Sequence, residues 1–115
     1  MFDFENLIAY KKSKSLNKEI QEFLKSTKNL NPYLKNQLNR ASISMVINIA
    51  EGCGKFSSKE KRQFYYISRA SIYECISILD LIKEDGLITE KLYQYYYIKF
   101  EEISKIIMGL IKSCK

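Results

Sequence analysis

The stretch Asn48-Ile49-Ala50-Glu51-Gly52-Cys53-Gly54-Lys55-Phe56-Ser57-Ser58-Lys59-Glu60 decides how this chain folds. Gly52 and Gly54 close an apolar run of helical character, because glycine ends helices where other residues would continue them. Ser57 then stands three residues before Glu60, the S-x-x-E pattern in which serine and glutamate satisfy the free backbone donors of a new helix. One helix stops and the next starts near Ser58, so the two fold back on each other as an antiparallel hairpin.

Upstream, Asn31-Pro32 places a capping side chain before a proline at the first helical position, and a second helix begins there. Leu34, Leu38, Ala41 and Met45 form its inward stripe. Ile43, Val46, Ile47, Ile49 and Ala50 extend apolar character almost all round, which predicts cover on more than one side. Helix two is either central or meets a second subunit. Further upstream, Asp3 is expected to cap a first helix running to about Ser26, with Phe4, Leu7, Ile8, Leu16, Ile20, Phe23 and Leu24 at roughly helical spacing and a lapse between Tyr10 and Leu16. Downstream, a third helix carries Phe64, Ile67, Ser71, Cys75, Ile78, Leu81 and Ile82 on one side and stops at Asp85-Gly86. Thr89 caps a fourth, where Leu92, Tyr96, Phe100, Ile103, Ile107, Leu110 and Cys114 repeat near heptad spacing.

Short connections between four helices predict an all-α, up-down-up-down antiparallel four-helix bundle. At 115 residues the chain holds one domain, 1–115, with no repeat and no linker. A single proline and four glycines are too few for the many turns of an all-β fold. Neither a signal peptide nor an 18-residue apolar run is present, so the expected location is cytoplasmic, with no membrane partner.

Function classes narrow by elimination. With no histidine, and with Cys53, Cys75 and Cys114 outside any CxxC spacing, neither a zinc site nor a disulfide framework is expected. We expect no metal, no cofactor and no catalytic residue, and the cysteines read as reduced thiols. Gly52-Cys53-Gly54-Lys55 resembles a fragment of a phosphate-binding loop, but it lacks the spacing and follows a helix rather than a strand.

Charge points to a partner. The net charge is +6, and twelve Lys/Arg face four Asp/Glu between Lys11 and Arg62, whereas the rest of the chain to Lys115 carries seven of each. Such an excess concentrates polyanions, of which nucleic acid is the commonest. Lys11, Lys14, Lys18 and Lys25 share a face of helix one. On helix three Arg62, Tyr66, Arg69 and Tyr73 alternate cation and ring, the chemistry of phosphate forks and base stacking, though also that of subunit interfaces. The turn cluster Lys55, Lys59, Lys61 and Arg62 is the densest basic patch, yet cations in the first turn of a helix oppose its dipole. Tyr93, Tyr95, Tyr96 and Tyr97 are expected to divide between core and interface.

Folding the hairpin about Lys55 and Phe56 brings Arg40 level with Glu74, and Ser44 and Asn48 level with residues 64–69. Glu74 lies on the predicted apolar side, where a lone carboxylate is costly to desolvate, so an Arg40–Glu74 pair is expected, with Asn48 and Glu51 joining the polar network. We read this set as structural.

The run Leu38-Asn39-Arg40-Ala41-Ser42, then Asn48-Ile49-Ala50-Glu51-Gly52-Cys53-Gly54, then Phe64, Ala70-Ser71 and Glu74 resembles the signature of the bacterial four-helix-bundle family known from reading frames inside intervening sequences of 23S ribosomal RNA. Ser42, Ser44 and Tyr66 depart from that pattern. The resemblance implies a ring-shaped homopentamer and kinship with the accessory variability protein of diversity-generating retroelements, a basic pentamer that binds nucleic acid and a reverse transcriptase. It makes Arg40, Asn48, Glu51, Gly52, Ser71 and Glu74 the signature residues. The expected function is non-enzymatic binding of nucleic acid, RNA first, by an oligomer that holds phosphates through Lys11, Lys14, Lys18, Lys55, Lys59, Lys61, Arg62 and Arg69. The alternative is an adaptor for an acidic protein or a reverse transcriptase.

Overall fold

The computed structural model describes residues 2–114. Among them the order is a 3-10 turn, Asp3–Asn6, followed by α1 (Ile8–Ser26), α2 (Pro32–Gly54), α3 (Ser58–Glu84) and α4 (Glu90–Ser113). Three of the four starts carry the side chain that the sequence offers. Asn31 accepts from the backbone N–H groups of Tyr33 and Leu34, Ser57 from that of Glu60, and Thr89 from that of Leu92. After α3, Gly86 adopts φ +74°, and the N–H groups of Gly86 and Leu87 turn back to the carbonyls of Lys83 and Ile82. Among the described residues each helix packs on its two neighbours in the ring, and the diagonal pairs α1/α3 and α2/α4 make no backbone contact. The result is an antiparallel bundle 44 × 22 × 21 Å.

The fully buried layer draws on every helix: Leu16 and Ile20 from α1, Leu38, Met45 and Ile49 from α2, Ile72, Leu79 and Ile82 from α3, Phe100, Ile103 and Ile107 from α4. Cys75 lies in the same layer, where burial pushes its thiol up to about 12 and keeps it protonated and inert.

The first helix starts later than expected. Asp3 does not cap it; residues 3–6 form the separate 3-10 turn, and Leu7 is extended at φ −70°, ψ 129°. Phe4 packs edge-on against Tyr10 at 4.8 Å. In one continuous helix those two rings, six residues apart, would point to different sides, so the break at Leu7 is what lets them meet. The apolar lapse after Tyr10 also resolves. Buried Ala9 and Ser13 continue the stripe of Leu16 and Ile20, and the Ser13 hydroxyl donates to the Tyr10 carbonyl at 3.0 Å.

The third helix buries Ser71, Cys75, Ile78 and Ile82 as expected but is turned part of the way from its expected phase. Ile67 and Leu81, placed inside by their apolarity, are 46% and 51% exposed, while Tyr65, Ser68 and Ile72 are buried. Small residues decide this. Ser68 donates to the Met45 carbonyl at 2.6 Å, a contact that holds α3 close against the backbone of α2.

Gly52 is the limit of that closeness. A Cβ there would stand 2.7 and 2.9 Å from two ring carbons of Tyr65 and 3.2 Å from the Lys61 carbonyl. Tyr65 is itself buried and cannot swing aside. Gly52→Ala is therefore expected to destabilise the fold by roughly 1–3 kcal/mol, the usual range for overpacking, whereas Gly54→Ala, with open space around it, leaves the denaturation midpoint nearly unchanged.

Candidate nucleic-acid interface

The topology sets the starts of α1 and α3 and the ends of α2 and α4 at one end of the bundle. Lys61 Nζ donates to the Cys53 carbonyl at 2.8 Å, and Arg62 Nη1 donates to the Cys114 carbonyl at 2.9 Å. The first carbonyl belongs to the last turn of α2 and the second to the residue that follows α4, at helix ends that carry unpaired acceptors and the negative ends of their dipoles. The cations that oppose the dipole of α3 thus sit on the compensating ends of its two neighbours. Lys55 lies over the Phe64 ring, with Nζ 4.9 Å from the centroid. Of the four cations in the turn cluster, Lys59 is the one that projects into solvent without a partner among the described residues. Sequence reasoning missed this capping by Lys61 and Arg62; the available signal was that Gly54 and Cys114 close helices at the end where α3 begins.

On α1, the buried stripe of Ala9, Ser13, Leu16 and Ile20 faces inward. Lys11, Lys14, Lys18 and Lys25 fall about 180° away at 100° per residue, so they stand on the outer side. All four are exposed, and none meets a hydrogen-bond acceptor or carboxylate among the described residues. Lys11, Lys14 and Lys18 line a shallow groove with Asn17 and Gln21. Of the neighbouring charges, Lys12 pairs with Glu102 of α4 at 3.2 Å and Glu19 accepts from the Tyr95 hydroxyl at 2.7 Å, while Glu22 stands exposed on the lysine face between Lys18 and Lys25.

On α3, Arg62 is drawn to α4, and the rest of its stripe forms a second groove lined by Tyr66, Arg69, Ala70 and Tyr73. The Arg69 guanidinium carbon lies 5.1 Å from the Tyr73 ring centroid, and Arg69 Nε is buried without an acceptor. The tyrosine cluster of α4 divides: Tyr93 and Tyr96 are buried, Tyr95 and Tyr97 exposed. Burial raises the Tyr96 hydroxyl to about 12.

The polar set between α2 and α3 is in register. Arg40 pairs with Glu74 and also donates to Gln37, and Ser71 donates to the Ser44 hydroxyl at 2.9 Å. Asn48 Nδ2 completes the chain by donating to the carbonyl and hydroxyl of Ser44. Two expectations need correction. Glu74 is not sealed in apolar surroundings, since its side chain is 35% exposed beside an Arg40 side chain at 56%. Glu51 does not join the network; it is exposed without a partner among the described residues, because at 100° per residue it falls a further 60° or about that from the buried side of α2 than Asn48, which turns back to Ser44. A pair this solvated contributes little, so Arg40→Ala is expected to lower stability by no more than about 1 kcal/mol in urea denaturation.

Outward from that network, Ile43, Ile47 and Ile67 are exposed. Ile43 and Ile47 account for the all-round apolarity of α2, whose second apolar side is open in the single chain beside Ile67 of α3.

Among the described residues no group of three or more His, Cys, Asp or Glu could hold a metal ion, and no helix is long and apolar enough to cross a membrane. Fold and surface together define a small antiparallel four-helix bundle with unpaired cations on its outer faces. The family model of the 23S rRNA-intervening sequence protein matches residues 5–109, and the chain belongs to that family. A solved structure from Bacteroides thetaiotaomicron, a protein of unknown function from the S23 ribosomal protein family, superposes with a TM-score of 0.84 at 22% identity, covering 92% of this chain and all of that one. That likeness shows the shared fold. Neither description names an enzymatic activity. No curated protein matches the chain.

Proposed function

We propose that this protein is a non-enzymatic, oligomeric RNA-binding bundle that holds phosphates through its basic surface and reads little base sequence. The observation that carries this is the α1 row: Lys11, Lys14, Lys18 and Lys25 stand exposed and unpaired along one face, while nearby Lys12 has its carboxylate. Four cations along some 20 Å of helix, opposed on that face by Glu22 alone, repel one another, and a polyanion relieves that repulsion while releasing its own counterions. Lys59, and the unspent donors of Lys61 and Arg62, extend the charge around the same end of the bundle. The name of the family, which refers to 23S ribosomal RNA, favours RNA over DNA.

Self-association is the second part of the proposal. Ile43, Ile47 and Ile67 form exposed apolar surface on the α2–α3 hairpin, the kind of surface a second copy covers, and the pentamer implied by the family signature is the expected ring. The same surface favours the adaptor reading, in which a different protein takes the place of the second copy.

Light-scattering mass measurement with and without a fragment of 23S ribosomal RNA tests both parts. An oligomer that gains the mass of the RNA is the expected result. A monomer removes the self-association, and an oligomer that leaves the RNA free favours the adaptor.

A further inference from the structure

The groove on α3 has a composition that the phosphate-only reading does not use. Tyr66 and Tyr73 expose 52% and 58% of their surface on either side of Arg69, whose guanidinium rests on the Tyr73 ring. Arg69 has no carboxylate partner and donates no hydrogen bond among the described residues. Its Nε–H is shut away from solvent without an acceptor, a state that buried donors rarely keep. Packing, including the contact with the Tyr73 ring, holds the side chain where it is without a hydrogen bond. Swinging it outward onto an anion forfeits no hydrogen bond and ends the isolation of Nε.

We propose that the Tyr66–Arg69–Tyr73 groove is a subsite for unpaired nucleotides, each tyrosine ring stacking on a base and Arg69 taking the phosphate between them. The inference rests on the RNA-binding proposal and adds a substrate class: single-stranded or looped RNA rather than duplex. A base inside a duplex has both faces covered by its neighbours and cannot stack on a side chain, whereas an unpaired base can. The surroundings also set a direction. On the other side of Tyr73 the surface carries Glu101, which repels phosphates, and Asp80, which already holds Lys83 at 3.8 Å, whereas Lys59 at the start of α3 is exposed and unpaired among the described residues, so the strand leaves Tyr73 toward Lys59.

The test compares a 20-nucleotide oligouridine with an RNA duplex of equal length, binding each to the wild-type protein and to the double variant Tyr66→Leu, Tyr73→Leu. The expected result is a loss of about tenfold or more for oligouridine, from stacking on two rings, with duplex affinity unchanged. Tyr66→Phe with Tyr73→Phe keeps both affinities, since the ring and not the hydroxyl stacks. Arg69→Gln weakens oligouridine binding without altering the fold. Equal losses for both RNAs, or none for either, overturn the subsite and leave the phosphate-binding proposal standing. A leucine variant whose mass falls in light scattering also overturns it, since the rings then belong to a subunit contact. A wild-type protein that binds neither RNA overturns both proposals.

Discussion

Phe100→Ala is expected to lower the free energy of unfolding by about 3–5 kcal/mol, the range for emptying a fully buried aromatic site. Phe100 is the bulkiest of the fully buried side chains and lies in the layer to which all four helices contribute. Rigid helices on every side cannot collapse into the space, so the variant loses both the transfer free energy of the ring and the contacts of its lining. Against a total stability of about 5–15 kcal/mol for a domain of this kind, the loss is a large fraction. Urea denaturation at fixed protein concentration should show a lower midpoint with an unchanged slope. Leu81→Ala is the informative companion. Its apolarity suggested burial, but at 51% exposure it should shift the midpoint by less than about 0.5 kcal/mol. A large effect at Leu81 would contradict the rotated phase of α3.

The second large effect concerns binding. Replacing Lys11, Lys14 and Lys18 together by glutamate is expected to weaken RNA affinity roughly 100-fold at low salt and to reduce the slope of log affinity against log salt by about two units, given about 0.7 per phosphate released from a single strand. The fold should be untouched, because these side chains stand opposite the buried stripe of α1 and make no contact that the reversal could break. Reversal at Lys61 and Arg62 is a poorer test. Both neutralise helix-terminal carbonyls, and a carboxylate in either place repels the end it faces, so lost binding could not be separated from lost stability.

How much of this was legible in the sequence depends on whether the deciding contact was local. Asn31, Ser57 and Thr89 cap helices as their positions suggested, because a cap acts within three residues. Arg40 with Glu74 followed from the hairpin, since equal distances from a short turn fix the register of antiparallel helices. The start of α1 was misplaced because Asp3 looks like a cap, while the packing of Phe4 on Tyr10 depends on a bend that no propensity signals. The phase of α3 was legible at Ser71, Cys75, Ile78 and Ile82 but not at Ile67 and Leu81, for a related reason. Apolarity favoured Ile67 and Leu81, but small Ser68 and the absence of a side chain at Gly52 determine which face can approach α2. In the candidate interface the lysine row of α1 was readable from spacing alone. The role of Lys61 and Arg62 as caps of other helices was not, since Arg62 meets a carbonyl 52 residues away.

The affinity of the wild-type protein for single-stranded RNA, measured over a series of salt concentrations, tests the account most directly. Micromolar or tighter binding in dilute buffer that falls steeply and linearly on a log-log plot is the predicted result. Absence of binding in dilute buffer, or an affinity indifferent to salt, would contradict it.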